Sequence, residues 1–307
     1  MTFDTFKTTI LESLSSYYGE DYRLSIRSVP KNNQILLDGL IIQEKNCNIS
    51  PTIYLNPYYA RFQNGQSMFC ILEEIKNIYA VNRPTGNIDV GFFTDFEQVK
   101  NRVCMKLVHY EKNRELLKEV PHVRFLDLAV VFYYLISLIP GENATILIYH
   151  NHRKHWKVTP EILLQCAKEN TPKLLPYYLD DIFSILSNFQ DLEEYSANHI
   201  QPLYVLTNSE KLFGASTILY PDLIPSIARR MNRDLIIFPS SIHEILLLPL
   251  SESENPTDYG SIIQEINQSH LAPDEILSDH AYYYSRKADQ INAEYNFSYS
   301  PADTFQE

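Results

Sequence analysis

Apolar side chains in the first part of the chain switch between helical and strand spacing. Residues 3–18 carry them at intervals of three and four, which predicts an amphipathic helix. Residues 24–28 and 35–42 alternate apolar and polar positions on either side of a Pro-Lys-Asn-Asn turn, and residues 51–56 form another short extended run. Ser67 is the predicted N-cap of a second helix. This order of helices and strands predicts a small α+β module.

The middle of the chain predicts a three-stranded meander. Residues 125–138 form a long run rich in Val, Tyr, Phe and Ile, which indicates a buried strand. Residues 145–149 are the returning strand after a Pro-Gly-Glu-Asn turn. A second turn at residues 151–154 leads into residues 156–158 as the third strand.

Helices flank the predicted meander, and short strands return after it. One helix covers residues 96–103, and another begins at Thr159, a predicted N-cap that is followed by proline at the first helical position. A further helix is predicted over residues 174–189. The last third predicts strands at residues 203–207, 215–220, 235–238 and 245–250, and helices at residues 221–231 and 257–267.

Together these elements predict an α+β fold of mixed, mainly antiparallel sheets with packed helices. We expect two modules, an N-terminal α+β module over residues 1–90 and a larger α+β domain over residues 91–287. Residues 288–307 are polar, acidic and aperiodic, which predicts a disordered tail.

Charge is distributed unevenly along the chain. The net charge is −12, and residues 251–307 hold eleven Asp or Glu against Arg286 and Lys287. No basic stripe is present to neutralise phosphates, so direct binding of nucleic acid is not expected. An acidic surface of this kind keeps a protein in solution, and it can also face a basic partner.

Cysteine usage and the start of the sequence predict a soluble, cytoplasmic protein. The four cysteines lie far apart and form no CxxC pair, so neither a disulfide framework nor a zinc ribbon is expected. The sequence begins without an apolar signal region, and residues 125–139, its longest apolar run, fall short of the roughly 20 residues of a membrane span. No glycine-rich phosphate loop is present, so no cofactor is predicted.

One segment, residues 238–249, places a nucleophile, a base and an acid close together. Ser240 and Ser241 are followed by His243 and Glu244. A serine becomes a nucleophile when an adjacent base takes its proton, so this segment is a candidate hydrolase site. The alternative is a serine-rich turn whose hydroxyls bind the backbone. We favour the turn, because side chains two or three apart in an extended run mostly point in different directions.

Asp127 is a further candidate, because it stands at the start of the most apolar strand. A buried carboxylate needs partners, and Arg124 or His122 is expected to supply one. The functional interpretation is an acid of perturbed pKa in a cleft, aiding the serine site. The structural interpretation is an ion pair or an exposed strand start.

Three histidines flank the second turn of the predicted meander. Across a tight hairpin, His150 and His155 would oppose each other, with His152 between them, and imidazole pairs of this kind suit a divalent metal. No cysteine or carboxylate lies near them in sequence to complete a ligand set. The sequence therefore predicts no metal site, and these histidines are the candidates if one exists.

Six segments carry a resemblance to a known family when they are taken in order. They are residues 99–102, 125–131, 167–171, 214–219, 238–244 and 277–279. Together they resemble an uncharacterised family of gut Gram-positive bacteria, described only as a domain of unknown function, and the resemblance covers about residues 3–285. The same order of segments is distantly similar to the YtpQ-like family. In the YtpQ-like family an Arg-Asp pair replaces Ile242-His243-Glu244. The resemblance implies a shared architecture and no catalytic residue.

These observations favour a non-enzymatic protein that binds another macromolecule, and a protein is the favoured partner. The chain lacks the common catalytic signatures and contains 22 tyrosines, a residue type enriched at interfaces. The alternatives are a hydrolase at Ser240–Glu244 and an acidic DNA mimic that inhibits a nucleic-acid enzyme. Neither the partner nor the oligomeric state follows from the sequence.

Overall fold

The computed structural model describes residues 1–83, 91–139, 142–181, 203–239, 241–250 and 271–293. The chain divides into two units, residues 1–91 and residues 92–307, which are called the first and the second unit. The predicted α+β fold with mainly antiparallel sheets is confirmed, since the strand pairs of the described residues are antiparallel. Within this described part, no helix combines the length and apolar character needed to cross a membrane.

The first unit packs three helices against a three-stranded sheet. Its elements are α1 (Phe3–Tyr18), β1 (Tyr22–Pro30), β2 (Leu36–Glu44), β3 (Thr52–Tyr54), α2 (Asn56–Gln63) and α3 (Met68–Asn82). Ser67 caps α3 by accepting the N–H of Cys70, which confirms the predicted N-cap. The sheet order is β1-β2-β3, so β3 is an edge strand.

The core of the first unit determines which side chains of β3 point inward. Apolar side chains of α1, α3, β2 and β3 form one buried cluster, including Phe6, Ile10, Leu14, Leu40, Ile42, Ile53, Ile71, Ile75 and Tyr79. Ile53 pairs with Leu40 and points into this cluster. Because side chains alternate along a strand, Thr52 and Tyr54 lie on the opposite face of the sheet.

The second unit contains two antiparallel sheets. Its elements are α4 (Phe96–Val99), β4 (Val103–His109), α5 (Arg114–Glu119), β5 (His122–Phe125), β6 (Leu128–Ile139), β7 (Glu142–Leu147), α6 (His150–Trp156), α7 (Pro160–Leu174), β8 (Tyr177–Asp181), β9 (Tyr204–Asn208), α8 (Leu223–Met231), β10 (Leu235–Phe238), β11 (Ile245–Pro249), β12 (Tyr282–Ser285) and β13 (Gln290–Asn292). Strands β4, β5 and β7 pair with β6, and the other sheet has the order β13-β12-β10-β11-β9-β8. One apolar cluster joins residues of both sheets, α7 and α8.

The predicted meander is wrong in two places. Residues 125–138 do not form one strand: Leu126, at φ 55°, turns the chain between β5 and β6. The third strand, predicted at residues 156–158, is absent because Trp156 belongs to α6. Its indole N–H donates to the carbonyl oxygen of Phe93 at 2.9 Å, and its ring packs on the Phe93 ring. These contacts come from a segment distant in sequence, so the local pattern did not reveal them.

Two further segments differ from their predictions. Residues 215–220, predicted as a strand, belong largely to a buried 3₁₀ helix over Gly214–Leu219, where the Ser216 and Thr217 hydroxyls donate to carbonyls three residues earlier. Residues 177–181, predicted as helical, form β8, because Pro176 does not continue α7.

Some predictions fall outside the described residues, namely the helix over 257–267, the remainder of the 174–189 helix after residue 181, and the tail from residue 294. Of the predicted tail, residues 290–292 form β13.

Candidate functional site

The turn between β10 and β11 holds three of the candidate residues, while Ser240 lies outside the described residues. Ser241 is 2% exposed, and its Oγ accepts the N–H of His243 at 3.0 Å. The backbone of Ser241 forms a bridge with Ile276. A buried hydroxyl that accepts an N–H two residues ahead has the geometry of a serine turn. Glu244 is half-buried and leads into β11.

The imidazole of His243 has a different set of partners. Its Nδ1 lies 3.2 Å from the carbonyl oxygen of Lys211, and its ring stacks on the Phe213 ring with centroids 6.0 Å apart. Its own carbonyl oxygen accepts the Thr207 hydroxyl at 2.7 Å. The side chains of Ser241 and His243 thus make separate contacts, and they do not form the nucleophile–base pair that a hydrolase requires.

Asp127 lies in the turn between β5 and β6 and accepts three side-chain hydrogen bonds. Its Oδ2 is 2.7 Å from Ser278 Oγ and 3.3 Å from His280 Nδ1. The Tyr282 hydroxyl donates to Oδ1. These four residues are called the Asp127 cluster. Its members come from segments 151 to 155 residues apart.

Burial dominates the electrostatics of the Asp127 cluster. Tyr282 is 0% exposed, and burial together with the charge of Asp127 raises its pKa well above the usual value. Its hydroxyl therefore stays protonated and keeps donating to the carboxylate. His109 Nε2 lies 4.0 Å from Asp127 Oδ2, and burial lowers the pKa of His109 although the carboxylate acts in the opposite direction. Beside the cluster, Lys112 Nζ is 2.9 Å from Asp279 Oδ2.

The order of contacts decides what the Asp127 cluster does. In a nucleophile–base–acid triad the imidazole lies between the hydroxyl and the carboxylate. Here Ser278 and His280 bind the same oxygen of Asp127, and Ser278 is 0% exposed. The arrangement therefore joins the β5–β6 turn to the start of β12 and does not activate the serine.

The partners expected for Asp127 are wrong. Arg124 Nε donates to the carbonyl oxygen of Leu126, and the His122 ring lies beside the carbonyl oxygen of Val120 and the Tyr110 ring. Ser278, His280 and Tyr282 gave no signal as partners in the sequence, because only the fold brings them to Asp127.

The second unit should lose stability as the pH falls from about 7 to about 5. Burial lowers the pKa of His109 in the folded protein below its ordinary 6.5, so the unfolded chain takes up its proton first. Burial lowers the pKa of His150 and His152 as well, which adds to the effect. Urea unfolding followed by the fluorescence of Trp156, the one tryptophan of the chain, measures this at both pH values. His109→Gln should weaken the dependence. A free energy of unfolding that stays constant or rises between pH 7 and pH 5 would contradict a lowered pKa of His109 in the folded protein.

The candidate metal histidines lie on a helix and not across a hairpin. His150, His152 and His155 all belong to α6, so His150 does not face His155 across a turn. His152 Nδ1 accepts the N–H of Tyr149 at 3.1 Å and so caps this helix. Across the described ranges, no group of three or more His, Cys, Asp or Glu side chains is arranged to hold a metal ion.

A groove runs along β3 in the first unit and is called the edge groove. Its volume is about 470 Å³, and it is lined by Pro51, Thr52, Ile53, Tyr54, Pro57, Tyr58, Arg61, Ile78 and Asn82. All three residues of β3 line it although their side chains alternate between the two faces of the sheet, so it lies along the outer edge of the strand. Concave sites of this size with mainly apolar walls and a few polar groups are typical of ligand binding. Sequence patterns did not reveal the edge groove, because it exists only where β3 is an edge strand, and local patterns do not encode the order of strands in a sheet.

Arg61 lines the edge groove, and Lys31 lies beside Tyr54, another of the lining residues. The Arg61 guanidinium lies 4.7 Å from the centroid of the Tyr58 ring and 3.0 Å from Glu74. Lys31 Nζ lies 4.0 Å from the centroid of the Tyr54 ring. Burial raises the pKa of Tyr58, so its hydroxyl is a donor at neutral pH. The edge groove thus combines apolar walls with positive charge and hydrogen-bond donors.

The chain matches one family model. The model describes a family of unknown function (DUF5688) and covers residues 3–286, which confirms that part of the resemblance. No curated protein and no solved structure matches the chain.

Proposed function

We propose that this chain, which belongs to the family of unknown function DUF5688, is a non-enzymatic protein that binds a partner protein. The edge groove carries the proposal. It presents apolar walls, two aromatic side chains and the Arg61 guanidinium next to an edge strand. Tyrosine and arginine are enriched in the parts of interfaces that contribute most to binding. A segment of the partner would fill the groove.

The catalytic alternative has less support. Ser241 and His243 bind different partners, and the buried Ser278 donates to Asp127. A pairing of Ser240 with His243 stays a prediction. An acidic DNA mimic also stays a prediction, because it depends on residues 251–307, of which the structure describes 271–293.

We further propose a cytoplasmic location, without a cofactor or a membrane contact. The four cysteines are free thiols, as expected in a reducing compartment. An origin in gut Gram-positive bacteria and a distant similarity to the YtpQ-like family rest on the sequence segments alone and belong to this proposal.

Filling the edge groove should weaken the binding of peptides selected on the full chain from a phage-displayed random library. Asn82 lines the groove and is exposed, so Asn82→Trp occupies the site without touching the core. We expect the affinity of the enriched peptides, measured by fluorescence polarisation, to fall by at least about tenfold.

Val81→Trp is the matched control for this experiment. Val81 is 83% exposed and does not line the groove. The substitution therefore adds the same indole side chain one residue away from the groove. The control should bind the peptides as the unmodified chain does. Enriched peptides that bind Asn82→Trp unchanged, or a selection that enriches none, would contradict the proposal.

A further inference from the structure

We infer that the edge groove takes its partner as an extended acidic segment that pairs with the outer edge of β3. The inference rests on the proposed function, and it adds the conformation and the charge of the partner segment.

The backbone of β3 has free hydrogen-bonding groups on one side. The N–H of Leu55 donates to the carbonyl oxygen of Asp38, which sets the register of the β2–β3 pair. In an antiparallel pair, successive residues direct their backbone groups toward the partner strand and away from it. The backbone N–H and carbonyl groups of Ile53 therefore point toward β2, while those of Thr52 and Tyr54 point away from it. Among the described strands, only β2 pairs with β3. An extended peptide can bond to Thr52 and Tyr54 and add a strand to the sheet.

The length of this edge limits the partner segment. Pro51 precedes β3, and α2 begins at Asn56 with Pro57 in its first turn. The free edge is thus three residues long. A partner segment would pair over about this length, so its affinity must also come from side chains.

Side chains of the partner segment meet apolar walls in the groove. Ile53, Tyr58 and Ile78 line it from the strand and from two helices. A groove volume of about 470 Å³ accommodates an aromatic side chain and its neighbours. Alternate residues of an extended segment point the same way, so one such side chain enters the groove while the next points out.

The charge of the groove selects an acidic segment. Lys31 Nζ lies over the Tyr54 ring, and no carboxylate of the described residues lies within ion-pair distance of it. The Arg61 guanidinium contacts Glu74 and the Tyr58 side chain, and its five N–H groups outnumber these contacts, so it can also bind a further acceptor. An Asp or Glu of the partner in the groove would therefore meet Arg61, and one that passes the Tyr54 ring would meet Lys31.

The test uses three pools of acetylated, amidated heptapeptides with Phe fixed at the centre. The first has Asp two residues before and after the Phe, the second has Lys there, and the third is the Asp pool with alternate backbone nitrogens methylated. The remaining positions are apolar mixtures. Binding to the full chain is measured by fluorescence polarisation.

We expect the Asp pool to bind, and the Lys pool and the methylated pool to bind at least about tenfold more weakly. Lys31→Ala should reduce the preference for Asp over Lys, and Lys45→Ala, in the same unit, should not. Groove-binding peptides that show no charge preference and tolerate methylation would overturn this inference and leave the proposed function standing. If the enriched peptides bind Asn82→Trp as tightly as the unmodified chain, the proposed function itself fails.

Discussion

The Gly214→Ala variant should lose about 3 kcal/mol or more of the free energy of unfolding of the second unit. A Cβ at this position would lie 2.0 Å from Thr207 Oγ1 and 2.3 Å from the carbonyl oxygen of His243. One of these atoms is backbone, so a side-chain rotation cannot relieve both clashes. The Thr207–His243 hydrogen bond, which ties β9 to the turn before β11, would break as the strands move apart.

Trp156 provides the measurement for this variant. It is the single tryptophan of the chain and is buried in the core of the second unit, so its fluorescence reports the unfolding of that unit. Ser216→Ala is the control in the same 3₁₀ helix, since it removes one hydroxyl and adds no bulk. It should cost about 1 kcal/mol. Equal losses of unfolding free energy for the two variants would contradict the prediction, because the backbone near Gly214 would then move enough to accommodate a Cβ.

The Asp127→Ala variant should destabilise the second unit by about 3 kcal/mol or more. It leaves the fully buried Tyr282 and Ser278 hydroxyls without the acceptor they share, and it removes the contact of His280. Urea unfolding followed by Trp156 fluorescence measures the loss. Because the Asp127 cluster has a structural role in the second unit and the edge groove belongs to the first, peptide binding at the groove should be unchanged under conditions where the variant is folded.

Asp279→Ala is the matched control for Asp127→Ala. Asp279 is one residue from Ser278, and its carboxylate forms an exposed ion pair with Lys112. Loss of this pair should cost less than about 1 kcal/mol. If Asp127→Ala costs no more than this, the hydroxyls find other acceptors and the cluster does not join the two elements.

Local signals in the sequence predicted helix starts well. Ser67 and Thr159 each accept an N–H three residues ahead, as the capping rule requires, and Pro160 occupies the first turn of its helix. The hairpin of β1 and β2 was also predicted, because its two strands alternate around a turn-forming sequence. In these cases the residues that determine the structure lie within a few positions of each other.

The errors arise where distant contacts decide the structure. Trp156 continues a helix because Phe93, 63 residues earlier, accepts its indole N–H. Asp127 was identified as a residue that needs partners, but these are Tyr282 in β12 and residues just before that strand, such as Ser278. The edge groove depends on the position of β3 in the sheet order, which no local pattern encodes.

The measurement that tests the central claim most directly is amide hydrogen exchange of the full chain with and without a peptide enriched by selection. The claim is that a partner segment binds along β3. It predicts slower exchange of the amides of Thr52 and Tyr54 in the complex, with the Ile53 amide, which already faces β2, changed little. Protection confined to the second unit, or a bound peptide that leaves Thr52 and Tyr54 exchanging as in the free protein, would contradict it.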